Sequence, residues 1–200
     1  MRQKNKTIKY FTQKELKKLF SVIEKSKEDW NRFWLRDLTI FNIAYYWWLR
    51  ASEIWILKLE NYNKSTGEIF VKRLKWSLNN TIRLDPTRIN LLNKYVREYK
   101  ITNDEDYLFI SRNKVPVSGK TIEFLMSKYW EMTNISREKL HPHTLKHSIA
   151  VHLAESWADI KEIQQYLGHR RIESTLQYFA YTTVQQNHFY EKIAKNSKLV

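Results

Sequence analysis

The segment Leu140-His-Pro-His-Thr-Leu-Lys-His-Ser148 packs four ionisable side chains into one short stretch. A helix that begins just after Pro142 places His143, Lys146 and His147 within one turn, where residues three and four apart share a face. Such a face is cationic and titratable, suited to moving protons beside an anion. A second cluster, Gln165-Tyr-Leu-Gly-His-Arg-Arg171, lies downstream, followed after one short helix by Gln177-Tyr-Phe-Ala-Tyr181. Far upstream is Leu49-Arg-Ala-Ser-Glu53, and Lys72, Arg73 and Lys75 fall between the two. Taken singly, each has an ordinary reading. A histidine in a basic protein is commonly a surface or satisfied core residue, and hairpin Lys and Arg commonly form a solvated face or a nonspecific phosphate contact. Metal binding by the His141-Pro-His143 step with His169 is disfavoured, because no carboxylate recurs at ligand spacing and flanking Lys and Arg repel a cation.

The composition narrows the partner. The chain has 200 residues with 35 Lys and Arg against 21 Asp and Glu, a formal net charge of +14 and a pI near 9.8. An excess of that size on one ordinary domain favours a polyanion, nucleic acid first. With 42% hydrophobic and 14% aromatic residues the chain can bury a core despite its 28% charged fraction. The absence of Cys excludes a disulfide framework, a thiolate nucleophile and Cys-ligated zinc together. The longest apolar stretch, Leu38 to Leu49, is interrupted by Asn42 and falls short of the roughly 20 residues that span a bilayer. The basic N-terminus has no apolar signal core, so the expected location is cytoplasmic.

The elements that must position these residues follow from periodicity. Thr12 and Glu15 form a capping box ahead of Leu16, Leu19, Phe20 and Ile23 on one face, which predicts a helix over about 12–25. A buried helix is expected over about 30–48. Ala51 to Leu59 repeats apolar residues at helical spacing, placing Arg50 at a helix junction. From Gly67 the period changes: EIFVKRL and TIRL read as strands around the turn residues Ser77 to Asn80, a β-hairpin or three-stranded sheet. Asp85 and Pro86 open a helix running to about Tyr99, and Asp106 to Ile110 reads as a short extended segment. Further helices are expected near 118–133, 143–156, 160–167, 172–181 and 184–195, with Asp159 capping one and Gly168 ending it. The expected architecture is mainly α with a small antiparallel β-sheet, an α+β domain. It divides into a basic arm at 1–10, a main domain at 11–182, which the resemblance described next makes the catalytic one, and an amphipathic tail at 183–200.

In order and spacing, Arg50, Lys75, His143, His169 and Tyr178 resemble the catalytic constellation of the tyrosine recombinases, or phage integrase family. The family's G-L-R-x-S-E box reads Trp48-Leu-Arg-Ala-Ser-Glu53 here, and its hairpin lysine follows 25 residues after Arg50 as Lys75. H-x-L-R-H reads His143-Thr-Leu-Lys-His147, L-G-H reads Leu167-Gly-His169, and Tyr178 follows His169 by nine residues. The short layout looks most like the small fimbrial phase-switch invertases, with only the basic arm preceding the catalytic region in place of the family's N-terminal clamp domain.

The resemblance implies a site-specific recombinase that needs neither metal nor cofactor. Tyr178 would attack the scissile phosphate to form a 3′-phosphotyrosyl link, His143 would take its proton, and Lys75 would protonate the departing 5′ oxygen. Arg50 and His169 would hold the nonbridging oxygens, whose charge grows in the five-coordinate state. Glu53 would orient the Arg50 guanidinium or its helix. Lys146 departs from the pattern, standing where the family has a second arginine. The swap keeps the charge but loses the bidentate fork, weakening transition-state stabilisation by about 3 kcal/mol. A catalytically impaired DNA-binding protein on the same fold is the alternative that Lys146 raises. Tyr181 competes with Tyr178 as nucleophile, and Lys72 and Arg73 compete with Lys75. The implied partners are double-stranded DNA and further copies of the chain, a tetramer on paired sites docked through the C-terminal tail. An unrelated RNA-binding protein that stacks bases on its aromatics would require exposed Trp47 and Trp48.

Overall fold

The computed structural model describes residues 8–29, 31–74, 78–156, 158–179 and 191. It is mainly α with one small antiparallel sheet, as the periodicity predicts. Thr12 caps α1 (Gln13–Lys25) through the expected reciprocal box: its Oγ1 accepts from the Glu15 N–H at 3.2 Å, and Glu15 accepts from the Thr12 N–H at 2.8 Å. Leu16, Leu19 and Ile23 form the buried face of α1.

The second helix, α2 (Trp34–Tyr46), starts four residues later than the apolar run implies. Asn31 accounts for the delay, because its side chain accepts from the Phe33 N–H and its carbonyl from the Trp34 N–H, closing a turn before the helix. α2 is buried on nearly every side and packs against α1, α4 and α6. Its polar Asp37 is accommodated by the Arg36 guanidinium and by the Tyr129 hydroxyl, which donates at 2.7 Å.

Arg50 caps α3 (Ala51–Trp55), which is shorter than the pattern suggests. The following stretch leaves the α-helix, passing into a single 3-10 turn at Leu59–Asn61, and takes a tertiary partner: Leu108 donates to the Leu57 carbonyl and Leu59 to that of Asp106. The expected extended segment at 106–110 thus takes the form of isolated bridges, Lys58 to Tyr107 and Ile110 to Pro116. The sheet runs β1 (Tyr62–Asn63), β2 (Glu68–Val71) and β3 (Asn80–Arg83) in that order, with Ile69 opposite Ile82 and Val71 opposite Asn80. Ile69, Val71 and Ile82 point to the core while Phe70 faces out, the alternation of a sheet covered on one side.

The remaining helices are α4 (Pro86–Glu98), α5 (Gly119–Glu131), α6 (Pro142–Glu155), α7 (Ile160–Leu167) and α8 (Glu173–Phe179). Asp85, Ser118, His141 and Asp159 cap α4 to α7 with their side chains. The helix expected at 184–195 and the possible nucleophile Tyr181 lie outside the described residues, as do Lys75 and most of the basic arm.

Gly168 ends α7 with φ +64°, and its carbonyl accepts from the Leu78 N–H at 3.0 Å, tying the helix to the hairpin. A Cβ at this position would lie 2.7 Å from the Leu78 carbonyl oxygen. Gly168→Ala is therefore expected to destabilise the chain by about 1–3 kcal/mol through clash and left-handed strain, read as a lower urea midpoint with an unchanged m-value.

Candidate active site

The site forms where the α2–α3 junction, the N-terminal half of α6, the end of α7 and α8 converge. Its foundation is the buried Glu53 carboxylate, which the local sequence turns back toward the residue three positions before it. Glu53 accepts from the Arg50 N–H at 2.9 Å, from Arg50 Nη1 at 2.7 Å, from the Leu74 N–H at 3.2 Å and from Arg73 Nη1 at 3.2 Å. Burial opposes its ionisation, but these donors and the Arg73 and Arg50 charges win and hold it below the usual carboxylate range. Glu53 thus orients the Arg50 guanidinium, one of the two roles the sequence suggests for it.

Arg73 has a different task from the hairpin lysine with which the sequence pairs it. Its guanidinium is fully buried and donates to the carbonyls of Trp48 at 2.9 Å and Trp47 at 3.1 Å, to Glu53, and through Nε to Asn80 at 3.0 Å. Every part of its fork is committed to the protein, so it locks the junction that presents Arg50. Lys72 is exposed.

Tyr178, on α8, is 2% exposed, and its hydroxyl lies 3.1 Å from Nδ1 of His147. Burial raises the phenol well above its ordinary range, and the nearby Arg50 charge partly counters this. His147 is lowered to about 4 by burial and by the like charges of His143, Lys146 and His141. At neutral pH the phenol is protonated and the imidazole is not, and in the tautomer that carries its proton on Nε2 the hydroxyl donates to Nδ1. His169 lies with its ring nearly parallel to that of Tyr178, centroids 6.3 Å apart, while its Nδ1 meets the Thr175 hydroxyl at 2.9 Å. It too is lowered to about 4, first by burial and then by Lys146, Arg50 and Arg73.

His143 stands at the exposed start of α6, its ring stacked on His141 and 6.4 Å from that of His147. The imidazole bonded to the phenol is therefore one helical turn farther on. Helical spacing puts His147 on the same face as His143, to which the family resemblance gives the proton; the helix phase that distinguishes them is set by how α8 docks on α6. Lys146 is buried, its Nζ 4.4 Å from the centre of the Trp48 ring. Sequence reasoning left out Trp48, although a bulky aromatic where the family's box carries glycine was the available signal. Trp47 and Trp48 are 0% and 2% exposed, which removes the base-stacking platform that an RNA-binding reading required.

Two depressed histidines have a consequence for acid stability. Between about pH 6.5 and about 4 the unfolded chain binds more protons at His147 and His169 than the folded one does. Their contribution is complete above pH about 6.5 and is lost as pH falls through that window. The melting temperature should decline over this range, and His147→Gln with His169→Gln should flatten the decline; an undiminished slope in the double variant would assign it to other groups.

An arginine oriented by a buried carboxylate, two imidazoles of lowered basicity and a buried phenol bring a nucleophile, a proton acceptor and a cation within reach of one anionic centre. A model of the phage integrase family matches residues 9–188, and the chain belongs to that family. Tyrosine recombinase XerA of Pyrococcus furiosus is 33% identical over 194 residues, covering 96% of this chain and 63% of XerA. Tyrosine recombinase XerC of Natranaerobius thermophilus is 29% identical over 168 residues, covering 80% and 56%. The chain spans about six-tenths of the length of these curated relatives. Among solved structures, XerH bound to a palindromic difH substrate in a post-cleavage complex superposes with a TM-score of 0.78 at 22% identity, over 96% of this chain and 54% of that one. The catalytic domain of bacteriophage HP1 integrase superposes with a TM-score of 0.63 at 17% identity, over 92% and 95%. These structures share the fold. No helix among the described residues is long and apolar enough to cross a membrane.

Proposed function

We propose that this chain cleaves and rejoins double-stranded DNA at specific sites through a 3′-phosphotyrosyl link to Tyr178. The observation that carries the reading is the Tyr178 hydroxyl bonded to a neutral imidazole, beside His169 and within the field of Arg50. In the forward step the Tyr178 oxygen bonds to phosphorus, its proton passes to His147, and the bond from phosphorus to the 5′ oxygen breaks. The 5′ oxygen takes a proton from Lys75, the hairpin lysine of the family pattern. Arg50, Lys146 and His169 offset the charge that builds on the nonbridging oxygens. His143, exposed at the mouth, contacts the phosphate or relays the proton outward. The arriving phosphate also raises the basicity of His147, since a nearby negative charge favours the imidazolium.

The relatives support the choice of substrate: they are tyrosine recombinases, and the XerH structure holds a palindromic DNA site. Assembly as a tetramer on paired sites through residues 183–200, action in the cytoplasm and the division at 1–10, 11–182 and 183–200 belong to the same proposal. The test uses nicked duplexes carrying a site that the chain itself recovers from a randomised library. A covalent adduct, mapped by peptide mass spectrometry to Tyr178, is the expected result. Retained DNA binding with no adduct would favour the impaired DNA-binding alternative that Lys146 raises.

A further inference from the structure

Trp48 is the least expected residue of the site. Its backbone adopts φ +56°, a left-handed conformation that bulky L side chains rarely take and that persists where surrounding structure over-determines it. That structure is the Arg73 clamp on the carbonyls of Trp47 and Trp48, itself anchored on Glu53. The clamp turns the indole inward, where it meets the rings of His169 at 5.3 Å, Tyr178 at 5.5 Å and His147 at 6.1 Å, each edge-on. Lys146 completes the group, its ammonium seated over the indole face. One side chain therefore touches four of the groups assigned to the reaction. Edge-to-face contacts fix ring orientation, and an aromatic face attracts a desolvated cation seated over it.

We propose that Trp48 is a positioning residue of the active site, paired with Lys146: the indole aims the ammonium at the phosphate and sets the Tyr178 and His169 rings. The inference rests on the proposed strand-cleavage reading. A guanidinium carries its own planar fork of donors, whereas an ammonium on a flexible stem is a point charge that needs a support to aim it. In this chain the residue at 48 offers such a support, so lysine at 146 and tryptophan at 48 function together where the sequence pattern has arginine and glycine.

The test is a double-mutant cycle of Trp48→Gly and Lys146→Arg, read as single-turnover cleavage of the library-derived nicked duplex and as DNA affinity at fixed salt. Each single variant should lose cleavage by about tenfold or more, the equivalent of one desolvated cation–π contact, with affinity unchanged within about threefold. The double variant should recover most of that loss, which a generally weakened fold would not produce. Trp48→Phe and Trp48→Leu guard against a Gly variant that does not fold: Phe retains an aromatic face and should keep more of the rate than Leu. Additive losses in the cycle, or equal rates for Phe and Leu, overturn the pairing. Tyr178→Phe separates this failure from that of the underlying reading. If Tyr178→Phe still cleaves, the Tyr178 reading fails and the nucleophile moves to Tyr181; if it is inert while the Trp48 and Lys146 effects simply add, only the pairing falls.

Discussion

Tyr178→Phe should abolish the covalent protein–DNA adduct while leaving the chain folded. The substitution removes the atom that bonds to phosphorus, and loss of a nucleophile costs about 10⁴-fold or more in rate because no remaining group replaces it. The ring itself persists, so its contacts with Trp48 and His169 persist as well. The structural cost is one hydrogen bond to His147, about 1 kcal/mol. A shifted band on a denaturing gel reads the first quantity and a melting curve the second. Adduct that survives the substitution would move the nucleophile to Tyr181. Adduct lost together with the melting transition would point to collapse of the site and leave Tyr178's chemical role unsupported.

Glu53→Ala should have the largest effect on stability. Four donors converge on that carboxylate, and the Arg73 guanidinium that pairs with it is fully buried. Removing one partner of a buried ion pair leaves an uncompensated charge and costs about 3–5 kcal/mol. The same change frees Arg50 from its orienting partner, so cleavage should fall by about a hundredfold, comparable to losing one transition-state donor. Glu53→Gln keeps the shape and separates the two effects: it retains an acceptor oxygen but turns an amide donor toward other donors. It should fold better than the Ala variant and still cleave poorly. Urea unfolding together with single-turnover cleavage measures both, and wild-type cleavage in a stably folded Gln variant would reduce Glu53 to a structural role. The sign with pH agrees, since a carboxylate held below its usual range contributes stability that is lost as acid protonates it. That loss runs in the same direction as the protonation of His147 and His169.

Gly168 and Arg73 show why the hairpin matters to chemistry performed by helices. Gly168 bonds to Leu78, Asn80 donates to the Tyr166 carbonyl, and Arg73 reaches from the sheet to the α2–α3 junction. The three ties set the sheet against both ends of the site, so a fault in the hairpin would reach Arg50 and His169 together.

Local signals in the sequence determined the element types and most of their caps, and they brought forward the candidate residues Arg50, Lys146, His169 and Tyr178. The Thr12 capping box, the Asp85-Pro86 start, the Asp159 cap and the Gly168 stop depend on neighbours a few residues away, and the structure forms each where the pattern predicts. The late start of α2 was also local, written in Asn31 but masked by the apolar run around it. Only the tertiary structure decided that Leu57 to Glu60 would pair with the 104–108 segment, since that exchange requires a partner more than forty residues away. It also decided that His147 rather than His143 meets the phenol, that Arg73 is a clamp, and that Trp48 becomes the surface on which Lys146 rests. These outcomes depend on the docking of α6, α8 and the α2–α3 junction, and a side chain's role changes with a single helical turn. Periodicity identifies the face a residue occupies; packing between distant segments selects the atom it touches.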